Sequence, residues 1–85
     1  MSVIQLYKEN PETYEREILG NLTEEQLDFL EENLDDVFEE DEEYFLDSDM
    51  LNYLREQGAD NNLLTLLQKA LGGARDGVDI LYLIE

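Results

Sequence analysis

Neither cysteine nor histidine occurs in the 85 residues, and Lys and Arg together number only five. Without cysteine there is no disulfide and no thiolate metal site. Without histidine, the zinc and di-iron ligand sets that need imidazole are closed as well. No apolar run approaches the ~20 residues needed to span a bilayer. The start, MSVIQLYKENPE, lacks the basic opening and long apolar stretch of a secretory signal. The expectation is a soluble, cytoplasmic chain. Five bases against 23 acids leave a net charge of −18 and a pI near 4.1. That balance opposes direct binding to nucleic acid or to anionic membranes, which carry the same sign of charge.

The acids are concentrated. The stretch Thr23 to Asp49, TEEQLDFLEENLDDVFEEDEEYFLDSD, holds fourteen of them and no base. The 22 residues before it carry four acids and two bases, and the 36 after it five and three, so the charge divides as −2, −14 and −2. Eighty-five residues make one small domain, 1–85, with no room for a second core. High charge and a mean hydropathy of −0.49 raise the question of disorder. The apolar residues answer it, because they recur at core spacing between helix caps.

Val3 to Tyr7 is short, apolar and β-branched at its start, which suits a strand. Asn10-Pro11 then reads as a helix start, with Asn10 as cap and Pro11 at the first helical position. Tyr14, Ile18 and Leu19 would share its buried face, and Gly20 would stop it. Thr23 and Gln26 form a capping box, with Leu22 and Leu27 placed as a hydrophobic staple. Leu27, Leu30, Leu34, Val37 and Phe38 make one helical stripe, which predicts a helix reaching at least Phe38. Tyr44-Phe45-Leu46 suits a short strand or an apolar anchor. Asp47 caps a further helix ended by Gly58, and Asp60 caps another ended by Gly72-Gly73. Asp76-Gly77 is a turn, and Val78 to Ile84 is the clearest strand.

These elements predict an α+β fold: about four helices on a sheet that pairs the N- and C-terminal strands. The sheet has two strands, or three if Tyr44–Leu46 joins. The C-terminal strand is apolar on both sides, so an exposed edge there would let the chain pair with a second copy or with a partner's strand. The alternative is that helices cover both faces and the chain stays monomeric.

A helix through the acidic stretch would stack six like-charged pairs four residues apart: 24/28, 28/32, 31/35, 32/36, 35/39 and 36/40. Each destabilises by about 0.2–0.5 kcal/mol. A helix serving only solubility would intersperse Lys or Arg, and this one has none. The functional expectation is an acidic interaction module docking a basic protein, with a nucleic-acid mimic as one version. Its contact residues would be Glu32, Asp35, Asp36, Glu39, Glu40, Asp41, Glu42 and Glu43, with Tyr44 and Phe45 as an apolar anchor. The bland alternative is a solvating face or salt adaptation, with the two aromatics in the core.

Two other classes are weaker. Asp47-Ser48-Asp49 begins like a calcium loop, but Leu51, Asn52 and Gly58 stand where a ligand, a glycine and a glutamate are needed. Only weak divalent-cation association with the acidic run is left. Catalysis would rest on carboxylates, Lys or Tyr, and 85 residues leave little room for a substrate cleft. The chain is therefore expected to be non-enzymatic and to need no cofactor. Crowded carboxylates should also hold protons more tightly when folded, making the domain more stable at mildly acidic pH than at pH 7.

Overall fold

In the computed structural model, which describes residues 3–10, 12–34, 37–72 and 76–85, each helix begins at a capping side chain. The Thr23 hydroxyl accepts the Gln26 N–H at 3.0 Å, and the Gln26 amide oxygen accepts the Thr23 N–H at 2.9 Å, opening α1 (Glu24–Asn33). Asp47 accepts the Met50 N–H at 2.8 Å to open α2 (Ser48–Glu56). Asp60 accepts the Leu63 N–H at 2.7 Å to open α3 (Asn61–Leu71). The staple positions Leu22 and Leu27, and Leu46 and Leu51, are all buried. Gln26 also donates to both Asp60 carboxylate oxygens at 3.1 Å, which ties the start of α1 to the start of α3.

The strands β1 (Ile4–Glu9), β2 (Arg16–Leu22), β3 (Tyr44–Leu46) and β4 (Val78–Ile84) form one antiparallel sheet in the order β2-β1-β4-β3. The two terminal strands pair as expected, Ile4 with Ile84 through Glu9 with Asp79, and Val3 and Glu85 extend the ladder with two backbone bonds. The α+β class stands. Among the described residues the counts change to three helices and four strands.

The missing helix is the one expected after Asn10; its Pro11 lies outside the described residues. Asn10 does make capping bonds, accepting the N–H groups of Glu12 at 2.8 Å and Thr13 at 3.4 Å. The chain then turns back. Tyr14 donates to the Asn10 carbonyl at 2.7 Å and sits at φ 61°, and the Asn10 N–H donates to the Glu15 carbonyl at 2.9 Å, closing a hairpin. Tyr14 is 74% exposed and Ile18 is exposed, so of the three residues expected to be buried only Leu19 is. Gly20 is not a helix stop but lies inside β2, opposite Leu6 and beside a register shift at which Leu19 is the extra residue. A Cβ there would come within 2.6 Å of the Leu66 side chain, so α3 packs on bare backbone.

The acidic helix is shorter than its apolar stripe. It ends at Asn33, with Leu34 extended at ψ 148°, and Asn33 donates its side-chain amide to the Phe29 carbonyl at 2.8 Å. Only the pairs 24/28 and 28/32 fall within it; the other four reach past Asn33. The last turn has no base to offset the dipole's negative end, so the charge that follows opposes continuation. Leu34 and Phe38 still reach the core from non-helical backbone, while Val37 is 67% exposed.

Leucines from all three helices join Ile4, Leu6, Ile80 and Tyr82 in one apolar cluster. Leu81 is equally buried but stands outside that cluster, because successive strand residues alternate faces. Among the described residues the helices thus cover one face of the sheet rather than both. Nor is the C-terminal strand outermost: β4 runs between β1 and β3, and β2 and β3 are outermost, although β3 covers only the first three residues of β4. At the turn before it, Gly77 has φ 105°, and a Cβ would lie 2.5 Å from the Phe45 ring and 2.7 Å from the Leu46 carbonyl. Only glycine fits. Gly73, read as part of the α3 stop, is outside the described residues.

Candidate functional site

At the sheet edge beside β4, two acidic segments converge. Glu31 of α1, with Glu39 and Glu40 from the segment before β3, lines a cleft of about 440 Å³ together with Val37, Phe38 and Tyr82. The Phe38 ring meets Tyr82 edge-on at 4.8 Å and Tyr44 at 6.0 Å, and the Tyr82 hydroxyl donates to the Phe38 carbonyl at 3.4 Å. Burial pushes the Tyr82 phenol above its ordinary pKa, and the negative charges of Glu31, Glu40 and Glu39 raise it further. None of these three carboxylates has a cationic partner among the described residues.

The segment also does structural work. β3 covers only the first three residues of β4, and the acids continue along the edge. The Asp41 N–H donates to the Tyr82 carbonyl at 2.9 Å, and the Glu40 carboxylate accepts the Ile84 N–H at 2.8 Å. Asp41 stands at φ 62°, in a turn where the Glu42 N–H meets the Glu39 carbonyl at 3.2 Å. These bonds satisfy backbone groups of β4 that would otherwise offer a pairing edge.

On the helix-free face of the sheet lies a second group. Arg16 of β2 meets Asp41 at 3.1 Å and Glu9 at 3.7 Å. Glu9 is buried, and its pKa is raised by a hydrogen bond with Glu43, then by burial and by the charges of Glu43 and Asp79, against the pull of Arg16. Glu43 is shifted down by the same hydrogen bond and by one from its own backbone N–H. Glu9 thus holds its proton more tightly than an ordinary glutamate, and Glu43 less tightly. Proton retention on folding therefore appears at Glu9, which precedes the acidic stretch.

Of the expected contact residues, Glu32, Glu39 and Glu42 are exposed without a cationic partner among the described residues. Glu40, Asp41 and Glu43 are exposed but bonded within the fold, and Asp35 and Asp36 lie outside the described residues. Tyr44 and Phe45 part company. Tyr44 is in the core, while Phe45, on the opposite face of the same strand, is 55% exposed. Glu31, Phe38 and Tyr82 were not among the expected contact residues, Phe38 being read only as part of the helical stripe. Glu31 carried a signal, being four residues from Leu27 and one from Leu30, at the edge of the buried stripe.

A larger cleft of about 740 Å³ lies between the β1–β2 hairpin and the end of α3, lined by Asn10, Glu12, Glu15, Leu71 and Gly77 among others. Its cations Lys8 and Arg16 are engaged, Lys8 with Glu17 at 3.2 Å. Asp47, the first residue of the calcium-like sequence, is the α2 cap. Among the described residues no group of three or more carboxylates is arranged to hold a metal ion, and no helix is long and apolar enough to cross a membrane. Compared with family models, curated proteins and solved structures, the chain matches none.

Proposed function

We propose that the chain is a non-enzymatic acidic interaction module that docks a basic protein surface at the cleft where α1 and the 39–43 segment meet. The observation that carries this reading is the cleft itself, where Glu31, Glu39 and Glu40 stand around Phe38 and Tyr82. Carboxylates held near an aromatic wall suit a Lys or Arg side chain, which gains ion pairing and contact with a ring. The fold supplies no such cation there among the described residues. A supply from outside would relieve repulsion that the folded chain carries when alone.

The test pairs wild type with Glu31→Gln/Glu39→Gln, which spares the internally bonded Glu40, Asp41 and Glu43. Both are used to capture proteins from native lysate, and bound material is challenged with salt and with DNA. A basic protein held by wild type and lost from the variant supports the module. Displacement by DNA would identify the nucleic-acid-mimic version. Equal retention by both forms would remove the cleft from the function, and no retention by either would leave the acids as solvation.

A further inference from the structure

The helix-free face of the sheet has apolar residues at its middle and acids around them. Residues paired across an antiparallel ladder share a face. The register therefore sets Leu81 beside Tyr7 and Tyr7 beside Ile18, and places Leu83 on the same side. Phe45 projects from this face at β3, its ring pinned against Gly77. Ile18 and Phe45 are half exposed, Tyr7 and Leu83 are partly buried, and Leu81 between them is fully buried. Asp79 and Glu9 lie on this face by register, and Asp41 and Glu43 reach it through their bonds to Arg16 and Glu9. Arg16 pairs with two of those acids, Glu9 and Asp41.

We infer that this face is a docking surface for a basic amphipathic helix, laid along the strands with apolar residues on Ile18, Tyr7, Leu83 and Phe45 and Lys or Arg reaching the flanking acids. The inference rests on the reading above that the partner is cationic, and it gives that partner a form and a place. Size fits: four strands at about 4.8 Å spacing are roughly 14 Å across, against a helix diameter of about 10–12 Å. Strands of six or seven residues run about 20 Å, the length of a helix of roughly 13 residues. Charge selects the occupant. A second copy would bring the same acidic face and another −18 of net charge, so self-association is opposed. The guanidinium of Arg16, already on the face, displays the ion pairing a partner's arginines would make.

The experiment titrates the full chain, labelled with ¹⁵N, with a synthetic 16-residue amphipathic Leu/Lys helix and separately with oligolysine of equal charge. The expected result is that the helix shifts the amides of Tyr7, Ile18, Leu81 and Leu83 and binds at least tenfold more tightly than oligolysine. Ile18→Thr/Phe45→Thr should weaken the helix about tenfold and leave oligolysine unchanged, since half-exposed apolar area is what they remove. The variant's own spectrum shows whether it is folded, and the wild-type shift map stands without it. Helix-induced shifts confined to Glu31, Glu39 and Tyr82 would overturn the sheet-face inference while leaving the cleft reading intact. Binding by neither peptide at low salt would overturn both.

Discussion

Changing Gln26 to Glu tests whether the junction of α1 with α3 is understood, because local rules and the three-dimensional arrangement predict opposite signs. Glutamate serves a capping box as well as glutamine does, and a negative charge in the first helical turn is favourable. By sequence alone the substitution should be neutral or mildly stabilising. In the structure the Gln26 amide nitrogen donates to both oxygens of Asp60 at 3.1 Å, and the residue is buried. A carboxylate there loses a charge-assisted bond, about 1.5–3 kcal/mol, and faces another carboxylate. Two like charges 4 Å apart repel by about 4 kcal/mol at an effective dielectric constant of 20 and about 1 in water. Asp60 is exposed, so the repulsion sits toward the lower value. The capping bond to Thr23 survives, and the net expectation is a loss of roughly 2–4 kcal/mol at pH 7, or about 10–30 °C in Tm for a domain this size. The introduced carboxyl has its folded pKa raised by Asp60, so the penalty is largest at pH 7. It shrinks as pH falls through that raised value, because a proton restores a donor. Urea and thermal melts at pH 7 and pH 4.5 read both effects. A variant within 0.5 kcal/mol of wild type at pH 7 would refute the argument that the Gln26–Asp60 contact decides.

The remaining predictions concern protons and glycine. Glu9, with its folded pKa raised, contributes stability that is full below the ordinary carboxylate value and is lost as pH rises through the raised one; Glu43, lowered, contributes above the ordinary value and loses it as pH falls. The pair stabilises most near the ordinary carboxylate pKa, so wild type should melt higher at mildly acidic pH than at pH 7. Glu9→Gln should flatten that slope, and an unchanged slope in pH-dependent melts would place the proton elsewhere. In a spectrophotometric titration, Tyr82 should ionise above the ordinary tyrosine range. Tyr82→Phe should remove that late step, and added salt should lower it as the glutamate charges are screened. Gly77→Ala should destabilise by about 1–3 kcal/mol from backbone strain alone, with more from the clash with Phe45 and the Leu46 carbonyl, read by urea unfolding.

The sequence was most legible where structure is set within a few residues. The caps at Thr23, Asp47 and Asp60 opened helices as expected, and Val78–Ile84 is a strand over that range. The hairpin at Asn10 was misread because its first bonds are those of a helix cap; a single left-handed residue, Tyr14, then reverses the chain. Nothing local announces that reversal. Its reason is non-local, since β2 gains a ladder on β1 and Gly20 accepts Leu66 from α3. The stripe through Phe38 identified buried residues correctly in Leu34 and Phe38 but not their backbone, because burial can be met without helical geometry. The cleft was illegible for a similar reason: Glu31 and Tyr82 are 51 positions apart and meet only through the sheet edge.

The acids before β3 have two occupations, and separating them decides what the acidity is for. Glu40 and the backbone of Asp41 cover the part of β4 that β3 leaves open, and Asp41 and Glu43 engage Arg16 and Glu9. Those residues have a structural reason to be where they are. Glu31, Glu32, Glu39 and Glu42 are exposed and meet no cation among the described residues, so for the isolated domain they contribute mainly repulsion. Neutralising Glu31 and Glu39 to Gln should raise stability slightly, by about 0.2–0.5 kcal/mol for each like-charge contact removed, and most clearly at low salt. If the cleft is a binding site, the same change should weaken capture of a basic partner, the expected trade between stability and function at a charged site. Urea melts and capture on one variant measure both quantities. A gain in stability with capture unchanged would mean that the repulsion serves no recognition, and the acidic stretch would then be explained by solvation and by protection of the β4 edge.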